Sequence, residues 1–300
     1  MAAAPSTNSR ITISTTASEK GILYIVATPI GNLGDITQRA VETLIKVDYI
    51  AAEDTRHSAK LMAHLNITTP LMAYHDHSDE KRLNKISHYL SSGQSVALIS
   101  DAGTPLISDP GYQLVKHIRE QGIEVVPIPG PCALISALSV CGLPTDRFTF
   151  EGFLPAKGSA RKAYLQALVR DDRTLVFYES THRILDTLED MSIIFGGERT
   201  VAIARELTKT YETVLTGSFA DVIEKMLSDK NQQRGEFVLM VNGYKQAIKG
   251  PNLDQSVIDT MSVLVKELPI KQASSIGAKL TGMKKRDLYQ WALDNKPEHD

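Results

Sequence analysis

The sequence predicts an α/β protein made of two α/β domains and a small all-helical C-terminal tail, and three observations carry that expectation. From Gly21 onward, short runs of β-branched and aliphatic residues alternate with segments of helical period, the pattern of βαβ units on a largely parallel sheet. The breaker-rich run Pro127-Ile128-Pro129-Gly130-Pro131 interrupts that alternation near the middle of the chain. After Lys249-Gly250-Pro251 the strand-like runs stop and only helical periodicity remains.

Taken in order, residues 1–20 are rich in Ser, Thr and Ala and lack the apolar block of a secretory signal, so they read as a disordered extension. The first domain, 21–128, opens with a buried strand at Leu23 to Ala27. A helix with Ile36, Ala40, Val41, Leu44 and Ile45 at helical spacing follows it, capped by Asp35 or Thr37. Further strands are expected at Tyr49 to Ala52, Leu71 to Tyr74, Val96 to Ser100 and Glu124 to Ile128. Helices are expected around Ala59 to Leu65, Leu83 to Leu90 and Tyr112 to Gln121. The second domain, 129–248, starts with a small-residue helix, Ala133 to Val140. It continues with strands at Phe148 to Phe153, Thr174 to Tyr178, Thr200 to Ala204, Thr213 to Thr216 and Phe237 to Val241, whose later members suggest hairpins and a mixed sheet. In the tail, 252–296, Val257, Met261, Leu264, Val265 and Leu268 form one apolar face and Pro269 ends that helix. Two short helices joined at Gly282 then make either a helix-turn-helix unit or a packing or dimerising appendage.

Composition removes several classes of function. No run of about 18 apolar residues exists, so no membrane span is expected. Cys132 and Cys141 form neither a disulfide framework nor a metal-ligand cluster, which fits a reducing cytoplasm and argues against zinc or any other metal. A formal net charge of −2 excludes coating of nucleic acid by bulk charge, so such contact must come from local patches. Two acid-free basic stretches qualify, one with Lys157, Arg161, Lys162 and Arg170, the other running from Lys271 to Lys284, Lys285 and Arg286; the alternative for each is a solvated surface.

The chemistry is expected beyond the carboxyl ends of the strands, where loops expose backbone N–H groups. Three loops are of that kind: Ala27 to Asp35, Ser100 to Gly111, and Pro129 to Ala133. The first holds neither G-x-G-x-x-G nor a Walker A sequence, so dinucleotide binding and phosphate cradling lose their usual support. The second packs two glycines, two prolines, two aspartates and three hydroxyl side chains into twelve residues. Such a segment cannot bury an apolar face, so it is there to hold something polar. A zwitterionic amino-acid moiety suits it, with N–H groups for a carboxylate and carbonyls or Asp101 for a cation.

In their order along the chain, these three loops resemble the tetrapyrrole methylase superfamily. Within it, Glu53-Asp54-Thr55-Arg56, Tyr74-His75-Asp76-His77, Gly152-Phe153-Leu154-Pro155, Phe177-Tyr178-Glu179-Ser180, Arg205-Glu206-Leu207-Thr208-Lys209 and Arg234-Gly235-Glu236 are similar to the branch that 2'-O-methylates a cytidine of small-subunit (16S) ribosomal RNA. The resemblance implies a cleft between the two α/β domains that holds S-adenosyl-L-methionine, a homodimer, and small ribosomal subunit RNA as substrate. Carried over by position, it implies cofactor contacts at Pro29, Ile30, Gly31, Asp101, Ala102, Gly103, Thr104, Ile107, Cys132, Ala133, Tyr178, Glu179 and Leu207. The sequence departs from the commoner pattern of that branch at Asp76 and Ser78, where Glu and Asn are expected.

Methyl transfer from a sulfonium is an in-line displacement that gains from positioning, and a ribose hydroxyl gains further from a base or a cation. Asp54, Arg56, His75, His77, Glu206 and Lys209 are the catalytic candidates. The competing readings are a structural ion-pair turn at Glu53 to Arg56 and loop-bonding histidines at 75 and 77. Lys157, Arg161 and Lys162 are the expected RNA-phosphate contacts, with Lys284, Lys285 and Arg286 second. Two other readings stay open: a methylase of a corrin or sirohaem precursor, and a non-catalytic RNA-binding or assembly factor.

Overall fold

The structure is a computed structural model that describes residues 20–74, 80–245 and 253–295. The extension 1–19 and the expected histidines His75 and His77, with Asp76, lie outside the described residues. Contacts divide the chain into two compact units, one running to Gly243 and one from Tyr244.

The first unit begins with a parallel sheet of β1 (Ile22–Val26), β2 (Tyr49–Ala52), β3 (Leu71–Ala73), β4 (Val96–Ile99) and β5 (Glu124–Ile128), in the order β3-β2-β4-β1-β5. All four residues of β4 are buried, as a central strand covered on both faces requires. On one face α1 (Gln38–Lys46) and α2 (Thr55–His64) bring Leu44 and Met62 onto Ile50 and Ile99. On the other, α3 (Glu80–Ser91) and α4 (Tyr112–Glu120) bring Leu90, Leu114 and Ile118 onto Leu23 and Leu98. Of the two caps expected for α1, Thr37 is the one used: its hydroxyl accepts the Ala40 N–H at 3.1 Å.

Because β4, β1 and β5 are neighbours, the three glycine-bearing loops leave the sheet side by side. They are stitched together. Thr28 and Gly103 exchange backbone hydrogen bonds of 2.9 and 3.0 Å, and the Thr104 hydroxyl donates to the Pro131 carbonyl at 3.0 Å.

α5 (Ala133–Val140) leaves β5 and packs its Leu134, Ala137 and Leu138 against Val176, Val238 and Met240 of a second sheet. That sheet is mixed, as the sequence suggests. Its strands are β6 (Phe148–Phe153), β7 (Thr174–Ser180), β8 (Thr200–Arg205), β9 (Thr213–Ser218) and β10 (Glu236–Val241), in the order β6-β7-β10-β8-β9. Only β6 and β7 run parallel; β10 is antiparallel to both β7 and β8, and β8 and β9 form a hairpin. Its far face is covered by α6 (Gly158–Leu168), α7 (Ile184–Phe195) and α8 (Phe219–Ser228), around Phe177, Leu188 and Phe219. Sequence reasoning leaves these three helices unassigned, although Ser218 and Asp221 form a full capping box on α8.

In the second unit α9 (Gln255–Glu267), α10 (Ile270–Thr281) and α11 (Lys285–Asp294) enclose Val257, Met261, Ala273, Leu288 and Ala292. α10 turns its small residues Ala273, Ser274 and Gly277 inward and leaves Ile276 and Leu280 exposed.

Candidate functional site

Between the two sheets of the first unit lies a cavity of about 430 Å³, within the usual range for a small-molecule site. The first sheet contributes Ile30, Ala102, Gly103, Thr104, Ile107, Ser108 and Asp109. Cys132 and Ala133, at the start of α5, form a second wall. The second sheet and its loops contribute Phe153, Tyr178 to His182, Ala204, Leu207 and Gly235 to Val238.

The loop Asp101 to Gly111 carries backbone strain. Leu106 and Ser108 adopt left-handed φ values of 74° and 63°, which costs a bulky or hydroxyl residue of the order of 1 kcal/mol or more and persists only where the surroundings impose it. The backbone N–H groups of Ala102, Thr104 and Ser108 have no protein acceptor among the described residues. A row of free donors beside a carboxylate fits a zwitterion. Burial, only partly opposed by a hydrogen bond from Ser100 and reinforced by nearby Asp101, pushes the Asp109 carboxyl above the usual aspartate range.

On the opposite wall, Tyr178 accepts the Leu134 N–H of the first turn of α5 at 3.2 Å. Burial is the main reason that its phenol is pushed up to about 12, so it stays protonated at neutral pH. Glu179 has a fully buried carboxylate that accepts from Arg183 at 3.0 Å, Thr187 at 2.8 Å and the Ser180 N–H at 2.7 Å. Its charge is consumed by the fold, since β7 and α7 depend on it for their junction.

Near the cavity the Lys209 ammonium binds the carboxylates of Glu206 and Glu236, each at 2.8 Å, and Glu236 lines the wall. Burial would lower the Lys209 pKa, but the two carboxylates outweigh it and hold the group above the ordinary lysine value. Burial likewise opposes ionisation of Glu206, but Lys209 and the Glu236 N–H at 2.9 Å hold it below the usual glutamate range. The stem of Lys209 lies against Gly31, where a Cβ would stand 2.4 Å from its Cγ. The Glu206 carboxyl similarly fills the space where a side chain at Gly235, with φ +107°, would go.

Of the expected cofactor contacts, Ile30, Ala102, Gly103, Thr104, Ile107, Cys132, Ala133, Tyr178, Glu179 and Leu207 line the cavity, whereas Pro29, Gly31 and Asp101 do not. Gly31 instead accommodates Lys209, and the Asp101 carboxylate accepts the Asp54 N–H at 3.2 Å. Among the catalytic candidates, Asp54 caps α2 through the Arg56 and His57 N–H groups, which hold its carboxyl below the usual range, and the Arg56 side chain is 92% exposed. Neither lines the cavity. The wall residues that sequence reasoning does not assign are Phe153, Ser108, Asp109, Ser180 to His182, Ala204 and Gly235 to Val238; of these, Phe153, Ser180, Gly235 and Glu236 stand in the motif segments without a role.

One expected RNA contact needs correction. Arg161 does not face solvent: it is 5% exposed, and its Nε donates to Asp190 at 2.7 Å between α6 and α7. The apolar face of α6 takes the arginine inward because Asp190, itself 6% exposed, needs a countercharge there. Lys162 approaches the other oxygen of Asp190 at 3.3 Å with its side chain 55% exposed. Lys157, Lys284, Lys285 and Arg286 are exposed. Among the described residues no cluster of His, Cys, Asp and Glu could hold a metal ion, and no helix is long and apolar enough to cross a membrane.

Residues 22–223 match the family described as Tetrapyrrole (Corrin/Porphyrin) Methylases, and residues 251–296 match the RsmI C-terminal HTH domain. A protein of Vibrio cholerae named ribosomal RNA small subunit methyltransferase I is 53% identical over 92% of this chain and 96% of its own length. A protein of Escherichia coli O157:H7 with the same name is 50% identical over 93% of this chain and 97% of its own length. Among solved structures, the uroporphyrin-III-C-methyltransferase of Thermus thermophilus superimposes with a TM-score of 0.53 at 21% identity, covering 74% of this chain and 94% of that one. A cobalt precorrin-4 methyltransferase gives 0.56 at 15% identity, covering 77% and 98%. These two likenesses speak to the fold alone.

Proposed function

Because the chain belongs to the tetrapyrrole methylase family, in the group of the ribosomal RNA small subunit methyltransferase I proteins, we propose that it methylates the ribose 2'-oxygen of a cytidine in 16S ribosomal RNA. It acts with S-adenosyl-L-methionine, in the cytoplasm and as a homodimer, on RNA of the small ribosomal subunit. The observation that carries the reading is the cavity walled by both sheets, with the strained Asp101 to Gly111 loop on one side and an aromatic and aliphatic wall on the other. Relatives sharing half of their residues over nine tenths of the chain carry the ribosomal RNA name, whereas the two solved tetrapyrrole-precursor methyltransferases described above share the fold at 21% and 15% identity, which favours RNA over a corrin or sirohaem precursor.

The residues present fit the donor. Free N–H groups of Ala102, Thr104 and Ser108 would take its carboxylate, Asp109 would face its cationic part, and Ile107, Tyr178 and Leu207 would cover its apolar surface and exclude water. When bound, the donor supplies an electrophilic methyl group on a sulfonium. The protein's own contribution is alignment of the ribose oxygen and stabilisation of the negative charge it gains as its hydroxyl proton passes to water. Lys209 is held as an ammonium, so its part is that of a cation rather than a proton acceptor, and Glu206 and Glu236 keep it in place. Asp54 and Arg56 frame the substrate side of the first sheet through the Asp54 to Asp101 bond. Lys157 and the Lys284 to Arg286 cluster bind phosphates, with Lys162 partly engaged by Asp190. Mass mapping of small-subunit RNA from cells lacking this protein tests the reading: one ribose methyl on one cytidine is missing if it is right, and an unchanged methylation map overturns it.

A further inference from the structure

We infer that Phe153 is a stacking platform on which an unpaired nucleobase of the RNA substrate rests at the edge of the cavity. The inference rests on the proposed function and adds a substrate-binding residue to it.

Phe153 lines the cavity and is nevertheless 57% exposed, an apolar ring left to water beside an otherwise well-covered wall. Its position follows from an irregularity in β6. In a regular strand, residues three apart point to opposite faces, so Phe150 and Phe153 belong on different sides of the sheet. Here both meet the ring of Tyr178 edge-on, Phe150 at 4.9 Å and 68°, Phe153 at 5.7 Å and 62°.

The pairing with β7 explains how. Phe150 stands opposite Val176, yet Gly152 stands opposite the next residue, Phe177, leaving Glu151 as an extra residue in the strand. Gly152 takes a φ of +65°, which a side chain would resist, and the bulge re-aims Phe153 toward the cavity. The bulge is pinned: one Glu151 oxygen accepts the Thr149 hydroxyl at 2.7 Å and the other accepts the Tyr164 hydroxyl at 2.5 Å. Such an arrangement gives up strand regularity and leaves a phenylalanine wet, so packing does not account for it. A fixed ring open to solvent on one side is what a splayed-out base requires, because every base has a π-face.

The neighbourhood agrees with RNA as the occupant. Lys157, four residues further on, is exposed at the start of α6 and supplies a cation for the adjoining backbone. The adenine of the donor is the competing occupant, but the partly buried Tyr178 already offers that ring a surface farther from solvent.

The test compares the whole protein with its Phe153→Ala and Phe153→Tyr variants. The readouts are methyl transfer to, and filter binding of, small ribosomal subunits isolated from cells lacking the protein, and calorimetric affinity for S-adenosylhomocysteine. The expected result for Phe153→Ala is a loss of about 10- to 100-fold in kcat/KM, mostly through KM, with weaker subunit binding and unchanged affinity for S-adenosylhomocysteine. Phe153→Tyr restores both. The inference is overturned if Phe153→Ala behaves as the parent, or if affinity for S-adenosylhomocysteine falls in step with kcat/KM, which would assign the ring to the adenine. If the parent protein transfers no methyl group at all, the proposed function fails, and the filter-binding comparison still decides whether Phe153 holds RNA.

Discussion

Replacing Arg161 with alanine is predicted to unfold the protein more readily without removing a phosphate contact. The guanidinium and the Asp190 carboxylate meet at 2.7 Å with side chains only 7% and 9% exposed, so deleting the cation leaves a buried carboxylate short of its main partner. Breaking such a pair from one side costs about 3–5 kcal/mol. Lys162, 3.3 Å from the second Asp190 oxygen, remains as partial compensation, which places the expected cost near the lower end, about 3 kcal/mol. At roughly 2–4 °C per kcal/mol for a domain of this size, the melting temperature falls by about 6–12 °C. Lys162→Ala, with its side chain 55% exposed, should cost less than about 1 kcal/mol. The double variant Arg161→Met with Asp190→Leu should recover most of the loss, because an apolar pair needs no countercharge. Urea unfolding of the four proteins measures these differences. An Arg161→Ala protein within about 1 kcal/mol of the parent, with weakened binding to small ribosomal subunits, would refute the burial argument.

Other expected outcomes follow from the cavity. The Glu206 pKa is depressed, so its contribution to stability is present above the unfolded glutamate value of about 4.3 and disappears as pH falls through the folded value. The Lys209 pKa is raised, so its contribution is complete below about 10.4 and disappears as pH rises through the folded value; Lys209→Met should remove that alkaline limb from a stability-against-pH curve. Asp109, raised chiefly by burial, should make affinity for cationic S-adenosylmethionine climb as pH rises above about 4, and calorimetry on Asp109→Asn should find that climb gone. Gly235→Ala forces a side chain into φ +107° and against the Glu206 carboxyl, so it should cost about 1–3 kcal/mol in chemical denaturation and loosen the Lys209 pairing.

Much of this architecture is legible in the sequence because its signals are local. β2, β5, α5 and β6 fall where the sequence puts them, β2 because a central strand covered on both faces is apolar throughout, the others because glycines and prolines mark their ends. The convergence of the three glycine loops is also legible, because parallel strands place their carboxyl ends on one edge. What is hidden depends on partners far away in the chain. Arg161 sits in a basic stretch that reads as surface, and only Asp190, on another helix, takes it inward. Phe153 looks like one more strand residue until the offset between β6 and β7 leaves Glu151 as an extra residue. Asp101 reads as a ligand for a cation, and nothing local shows that its carboxylate also accepts the Asp54 N–H, a pairing across 47 positions that no periodicity encodes.

The central claim is that the space between the two sheets holds the methyl donor, and a crystal structure with S-adenosylhomocysteine tests it most directly. Bound ligand is expected between the Ala102 to Ile107 loop and the wall of Ala133, Tyr178 and Leu207, with its carboxylate on loop N–H groups. Ligand bound on any other face, with this cavity empty, would contradict the account.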